Sequence, residues 1–516
     1  MLLRTALAVA ATSSIAFAQN DYNYDKTSSG RLGSPLTLSV TNAPPNQFLF
    51  FIVSFNAGPI PLVLLDGIDT RSLQVGGDLL DLLSLGVTSA GGTASYTLNT
   101  VNDITWNNLV LHWQTAVWPG SPTFFGQISN DIVTQTGFPD TGLLAPATLG
   151  SARAFGTAFF DRNNNAGAGD VLVAGGGAGT ITGSTGLATS ERWDFRHMTV
   201  SPGPTMSTAR SLHVAVTLTD NRVLIIGGSD STGAILSSCE IYDPTTNLFT
   251  PAAPMSTPRM LHAACRLADG RVMVAGGASA LDVVNLSVSA LRSVEIYNPV
   301  TNTWAGGPDI GGYRIAPALT LLSTNQVMVS GGVQVNYLIY PTLPLSASTT
   351  TAVQRWNPAS PASWGAGAAM PTDRALHHYN QVTLNDGRVL MTGGMDVASI
   401  TTITTAPSIA NADVYNPTTN TWASFPMTAA RSFHSATKLA DGRVVVCGGA
   451  QGTLSAPVSI DGVEVFNPAT NAWAAAPVLT GPRAGHAAAL TPDNLLLLLG
   501  GQGATATLNT IETLRF

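Results

Sequence analysis

The sequence predicts an all-β chain: a ring of seven four-stranded sheets preceded by a small β-sandwich. Two observations predict it. Seven Gly-Gly pairs each close a short apolar run, at Gly175-Gly176, Gly227-Gly228, Gly276-Gly277, Gly331-Gly332, Gly393-Gly394, Gly448-Gly449 and Gly500-Gly501, in steps of 52, 49, 55, 62, 55 and 52 residues. Between them the same turn signals return in the same order. A self-similar period of this length marks a repeat architecture, in which a unit buries its faces only against its neighbours.

One unit shows the elements in order. Arg259-Met260-Leu261-His262 leads into a first strand to Leu267, and Asp269-Gly270 turns the chain. Arg271 to Ala275 is an apolar second strand that stops at Gly276-Gly277. After a loop, Ser293 to Tyr297 is a third strand, Asn298-Pro299 turns again, and Trp304 marks the fourth. Asp-Gly and Asp-Asn pairs tolerate the positive φ of a two-residue hairpin. Asx-Pro pairs recur at Asp243-Pro244, Asn298-Pro299, Asn357-Pro358, Asn416-Pro417 and Asn467-Pro468, where the Asx side chain caps a turn and proline presets φ. Paired glycines either allow positive φ or let a neighbouring backbone come close.

A lone four-stranded sheet cannot bury both faces, and stacking copies about an axis solves this as a β-propeller. The aromatics at Trp193, Tyr242, Tyr297, Trp356, Tyr415 and Phe466, and at Phe249, Trp304, Trp364, Trp422 and Trp473, recur regularly enough to read as packing between sheets. The set Arg259…His262, Gly276-Gly277, Glu295-Ile296-Tyr297-Asn298-Pro299 and Trp304 resembles the kelch repeat, over residues 138 to 516. The resemblance implies a seven-bladed kelch-type β-propeller. Seven second strands but only six fourth strands after Arg153 imply that residues 138–146 close the ring as the outer strand beside 509–516.

Ahead of the repeats, residues 1–18 read as a signal peptide: Arg4, an apolar stretch from Ala6 to Ala16, and the Ala16-Phe17-Ala18 cleavage pattern. Cleavage near Ala18 implies a secreted or periplasmic protein. Residues 19–32 read as a linker. Residues 33–131 alternate without repeating and are expected to form a β-sandwich accessory domain, with strands at 36–40, 48–55, 62–65, 94–98, 109–117 and 125–128. Residues 102–132 are similar to the end of a small domain common in exported bacterial proteins. Trp106, Trp113 and Trp118 suit either a glycan-stacking surface or its core.

Composition excludes some partners. Charged residues make up 10% of the chain, against roughly a quarter in ordinary soluble domains, and Lys26 and Lys438 are the only lysines. The net charge of −7 is spread thinly, and without a basic stripe no nucleic-acid partner is expected. No apolar run is long and unbroken enough for a membrane span.

Candidate chemistry is sparse. His213, His262, His377, His434 and His486 each follow an arginine by three residues, so they are one repeat position spread around a ring and not a converging ligand set. Cys239, Cys265 and Cys447 sit on strands, as buried thiols or as one disulfide and a free thiol. Asp161, Asn163, Asn165 and Asp170 lengthen the first hairpin with oxygen ligands at largely alternating positions, which fits calcium or a solvated polar turn; Ala166 stands where an EF-hand has glycine. No other cofactor is expected.

The layout also resembles copper-radical oxidases of the galactose oxidase kind. That resemblance implies a cysteine cross-linked to a tyrosine, a second tyrosine and two histidines, one from a further C-terminal domain. No residue here is assigned to that set, and no such domain is expected after the last repeat. The leading expectation is therefore an exported, non-catalytic binding or scaffold protein for an unknown protein or glycan. Its contact surface is the long loops 278–294, 333–353 and 395–412, with Tyr337 and Tyr340 as candidates; drift in unused loops is the other reading of their length. The alternative is a carbohydrate-active or copper-radical oxidase-like enzyme.

Overall fold

In the computed structural model, residues 147–516 are described except 162–169, 179–184, 195–198, 283–286, 342, 378–380, 400–401, 403–404 and 492–494. Before residue 147, the described residues are 89–90 and the strands 23–26, 35–41, 48–54, 57–61, 72–75, 81–87, 94–99, 110–118 and 132–135.

Among the described residues from 147 onward, seven four-stranded antiparallel sheets follow one another in a propeller-like all-β fold. Sheets 1 to 7 are numbered here by their second strands: Asp170–Ala174, Val223–Ile226, Val272–Ala275, Val327–Ser330, Val389–Thr392, Val444–Cys447 and Leu495–Leu499. These carry the apolar runs seen in the sequence, and almost every residue in them is buried. Burial of each Val, Leu or Ile contributes roughly 1.5–3 kcal/mol, so these strands form the interior of the fold. Third-strand aromatics are buried too, with Tyr242, Tyr297, Tyr415 and Phe466 at 0% exposure. Indole N–H groups of the fourth strands reach back to the preceding sheet: Trp304 donates to the Ala253 carbonyl at 2.8 Å and Trp473 to Phe425 at 2.7 Å. The aromatic period is thus a packing period, as expected.

The Gly-Gly pairs are the junctions. Both glycines of every pair have positive φ. A Cβ on Gly227 would lie 2.5 Å from the Arg259 carbonyl oxygen of the next sheet. The second glycine of each pair donates its N–H to the carbonyl of the next sheet's arginine: Gly176 to Arg210, Gly228 to Arg259, Gly277 to Arg314, Gly332 to Arg374, Gly394 to Arg431, Gly449 to Arg483 and Gly501 to Arg153, all at 2.8–2.9 Å. The last of these joins sheet 7 to sheet 1. Glycine therefore serves both purposes read from the sequence, positive φ and close approach.

The same arginines tie each sheet to itself. Arg259 is fully buried; its Nη1 donates to the Gly276 and Ser293 carbonyls and its Nη2 to Glu295 at 2.8 Å. Arg153–Glu191, Arg210–Glu240, Arg374–Asp413, Arg431–Glu464 and Arg483–Glu512 repeat this arrangement. Each carboxylate neutralises a guanidinium that burial alone would destabilise.

An outer strand closes sheet 7 at Ala147–Thr148, directly after the segment expected to do so. Ala147–Thr148 pairs antiparallel with Thr510–Arg515, Ala147 opposite Ile511, and is the outer strand of sheet 7. Leu149 follows, buried among Val171, Leu497 and Ile511. Residues 141–146 lie outside the described residues, as do 136–140.

Before residue 147, the described strands form a three-stranded sheet (23–26, 35–41, 94–99), a four-stranded sheet (81–87, 48–54, 110–118, 132–135) and a hairpin (57–61, 72–75). Strands 23–26, 57–61, 72–75, 81–87 and 132–135 were not anticipated, and the first of them lies in the segment read as a linker, where it pairs with 38–41; the leucine-rich run at 81–87 lacks the strict alternation that marks a strand, yet pairs with Phe48–Ser54. The expected strands 62–65 and 125–128 lie outside the described residues, as does Trp106. No helix among the described residues is long and apolar enough to cross a membrane.

Candidate functional site

Two residues after each junction arginine, the backbone turns left-handed: Phe155 (φ 56°), Leu212 (54°), Leu261 (51°), Ala316 (50°), Leu376 (59°), Phe433 (53°) and Gly485 (60°). For a bulky side chain this conformation costs on the order of 1–3 kcal/mol and persists only where surroundings enforce it. The enforcement is a belt of hydrogen bonds between sheets. Phe155 N–H donates to Gly485 O at 2.7 Å, Leu212 to Phe155 at 3.1 Å, Ala316 to Leu261 at 2.9 Å and Gly485 to Phe433 at 2.8 Å. Phe155 and Phe433 meet edge-to-face across Gly485. The sequence reading missed this belt, although the apolar residue between the arginine and the histidine repeats.

The loops that follow the glycine pairs rise on the belt's side. They do not stand free as a recognition surface along their whole length. Val288, Ala290, Val333, Val335, Ala347, Met395, Val397 and Ala406 pack with Leu212, Leu261 and Ala316 into one apolar cluster. The loops of sheets 3, 4 and 5 thus roof the belt.

Sheet 4 departs most from the repeat. Its loop is a hairpin, Val333–Ile339 with Leu343–Thr349, extended by the short strand Tyr313–Ile315. Pro317 replaces the histidine, and Gln354 stands where the other sheets have a carboxylate. The Gln354 Oε1 lies 3.5 Å from Arg314 Nη2 and accepts the Gly311 N–H at 2.9 Å. Burial pushes the Arg314 guanidinium down to about 10.

Three tyrosines gather on this hairpin. Tyr340 stacks on Tyr313 with ring centres 4.6 Å apart and planes 17° apart. Tyr337 stands edge-on to both, at 5.1 Å from each. Arg292 lies 5.2 Å from the Tyr313 ring centre and pairs with Asp309 at 3.1 Å; both charged groups are about half exposed. Tyr340 is 43% exposed, and Leu338, Ile339 and Leu345 beside it are more so.

The two expected binding tyrosines therefore have different positions. Tyr340 is on the surface. The Tyr337 hydroxyl is occupied: it accepts the Ala290 N–H at 2.7 Å and donates to the Val288 carbonyl at 2.9 Å, clamping the hairpin to the neighbouring loop. Tyr313 was missed; it precedes Arg314 where the other sheets carry Ala, Pro or Asp. Of the calcium candidates, Asp161 and Asp170 face each other at the hairpin base, and the Asp170 carboxylate accepts from Arg192 at 3.1 Å. Asn163 and Asn165 lie outside the described residues.

The repeat histidines act between sheets. His213 Nε2 meets Thr157 Oγ1 at 2.9 Å, His434 meets Thr392 at 2.8 Å and His486 meets Ser435 at 2.9 Å. Burial first, then the neighbouring arginine, pushes His213 and His486 down to about 3 and His434 well below its ordinary value. Cys239, Cys265 and Cys447 are free thiols on strands of three different sheets, each pushed up to about 12 by burial. Among the described residues no three His, Cys, Asp or Glu side chains converge as a metal site. A copper centre built on a tyrosine-linked cysteine does not fit these residues: Tyr297, which shares a core cluster with Cys239, is buried with its hydroxyl on Asn302, and no set of metal ligands converges there among the described residues.

Residues 210–256 match the family model for the kelch motif. Human Kelch-like protein 33 is 31% identical over 143 residues, which cover 28% of this chain and 25% of that protein, so the chain spans about a quarter of this relative's length. Among solved structures, a novel fungal alcohol oxidase of the AA5 family, in complex with copper, superposes with a TM-score of 0.54 at 16% identity, covering 72% of this chain and 76% of that one. The structure of YjhT gives a TM-score of 0.44 at 15% identity, over 59% and 94% of the two chains. The chain carries a kelch motif and shares the propeller fold of a galactose-oxidase-like protein.

Proposed function

We propose that this chain is an exported, seven-bladed propeller that handles carbohydrate or a related alcohol at the tyrosine patch on its loop face. The reading moves from a passive scaffold toward the carbohydrate-active alternative. The observation that carries it is Tyr340, an exposed ring laid flat on Tyr313 beside the Arg292–Asp309 pair. An apolar ring surface with a few convergent polar groups is the common form of a small-molecule site. Sugars suit it, with C–H faces for the ring and neighbouring hydroxyls for the guanidinium and carboxylate. The shared fold with an alcohol oxidase supports this direction, while fold alone does not transfer a reaction. Among the described residues no donor set supports copper-radical chemistry. The sheets before residue 136 are read as an accessory sandwich.

A second reading rests on Leu338, Ile339 and Leu345. Their exposure at 66%, 59% and 67% suits a protein partner covering the hairpin tip.

One experiment separates the readings. The mature chain is screened against a glycan array and assayed for turnover of sugars and small alcohols, with and without added copper. Tyr340→Ala and Arg292→Ala are measured in parallel. Glycan binding or turnover lost by at least about tenfold in both variants supports the proposal. Absence of any binding or turnover, or activity indifferent to both substitutions, overturns it.

A further inference from the structure

The ring encloses a chamber whose lining includes none of the three tyrosines. This chamber of about 400 Å3 runs along the axis, within the usual range for small-molecule sites. Its floor is the belt: Phe155, Leu212, Leu261, Leu376 and Phe433 line it and are roofed by the loop cluster. The inner strands, such as Val214–Thr217 and Ser435–Lys438, form its wall. Each is the edge of its sheet, so alternate backbone N–H and C=O groups face the axis with no strand beyond them. The Thr157, Thr217 and Thr437 side chains belong to this lining.

The mouth lies at the opposite end, where the inner strands reach their hairpin turns. Thr217, the last residue of its strand, lines both the chamber and the open hollow outside it. Exposed Arg266 stands at this lip and donates to the Thr217 carbonyl at 3.0 Å. Lys438, also exposed, directly follows chamber-lining Thr437. The aspartates of the hairpin turns at this end are each paired with an arginine, Asp220 with Arg222, Asp269 with Arg271, Asp386 with Arg388 and Asp441 with Arg443.

We propose that the axial chamber binds a small polyhydroxylated carboxylate, with its hydroxyls among the strand edges and threonines and its carboxylate at Arg266 and Lys438. A plain alkyl acid would leave the strand-edge polar groups without partners, a cost that discriminates strongly against it. A neutral polyol would forgo the charge-assisted bonds at the mouth.

The test is calorimetric titration of the full mature chain with gluconate, sorbitol and octanoate. Gluconate is expected to bind one per chain, and sorbitol and octanoate at least about tenfold more weakly. The surface variant Arg266→Gln/Lys438→Gln should weaken gluconate about tenfold without affecting the fold, and Thr437→Trp should block it by filling the chamber. Tyr340→Ala should leave gluconate binding unchanged, which keeps this test separate from that of the tyrosine patch. A crystal structure with gluconate should place it inside the chamber even if Thr437→Trp does not fold. No measurable gluconate binding, affinity unchanged in the double variant, or gluconate located elsewhere overturns the proposal.

Discussion

Gly501 donates its backbone N–H to the Arg153 carbonyl at 2.8 Å, joining residues 348 positions apart in the chain (501 minus 153) and tying sheet 7 to sheet 1. The same bond joins every other pair of consecutive sheets. The Ala147–Thr148 strand reinforces this closure, with Leu149 N–H donating to Asn509 O at 2.7 Å. Removing residues 1–132 should therefore leave the ring's denaturation midpoint nearly unchanged. Removing residues 1–150 should lower it sharply, because it strips the outer strand and the buried Leu149, whose side chain alone is worth roughly 2–5 kcal/mol. Equal urea midpoints for both truncations would show that the strand does not close the ring.

Arg314 is the one junction arginine facing an amide instead of a carboxylate. A buried guanidinium without a counter-charge is costly, and Gln354 answers it only through a 3.5 Å contact. Gln354→Glu should place a carboxylate as Glu295 is placed opposite Arg259. It is expected to stabilise the fold by about 1–3 kcal/mol at neutral pH. Glu295→Gln should move stability the other way by a similar amount. Chemical denaturation of the two variants checks both; a destabilised Gln354→Glu would mean that sheet 4 cannot seat a carboxylate opposite Arg314 as the other sheets do.

What was legible in the sequence was whatever the ring repeats from sheet to sheet. The glycine pairs, arginines and indoles each make one contact that recurs, so their spacing carried the architecture. Asn247, Asn302 and Asn420 went unread although they recur as well; they have positive φ and accept the hydroxyls of Tyr242, Tyr297 and Tyr415. The candidate site was only partly legible. Tyr337 and Tyr340 stand three residues apart in one loop, yet one clamps the backbone and the other faces outward. That difference arises from the neighbouring hairpin at Val288 and Ala290, and no periodicity encodes it. Tyr313 was hidden because it belongs to the start of a repeat unit and joins the hairpin only through the Tyr313–Val335 register.

Gln381 breaks a packing position. It pairs with Met391, two residues before its glycine pair; in the other sheets the same register holds Ala158, Ala215, Ala264, Leu319, Ala436 and Ala488. Both amide atoms of Gln381 are buried and have no hydrogen-bond partner among the described residues. Gln381→Leu, which copies Leu319, should raise stability by roughly 1–3 kcal/mol by removing the desolvation cost of the amide. A thermal or urea melt checks this, and a loss of stability would reveal a polar partner for the amide.

The buried histidines give the fold a dependence on acid with a definite sign. His213 and His486 are held neutral, pushed down to about 3 by burial and by Arg210 and Arg483. In the unfolded chain each titrates near its ordinary value of about 6.5. Between those limits the unfolded state binds more protons, so stability is full above about pH 6.5 and falls as the pH drops toward 3. At pH 4.5 each such histidine should cost on the order of 2–3 kcal/mol relative to neutral pH. Carboxylates titrate in the same region, so the informative quantity is a difference. His486→Gln retains a side-chain donor for Ser435 and removes one titrating group. Its urea midpoint should fall less between pH 7 and pH 4.5 than that of the parent chain. Parallel pH profiles for the two proteins would mean that His486 does not titrate on unfolding as this burial requires.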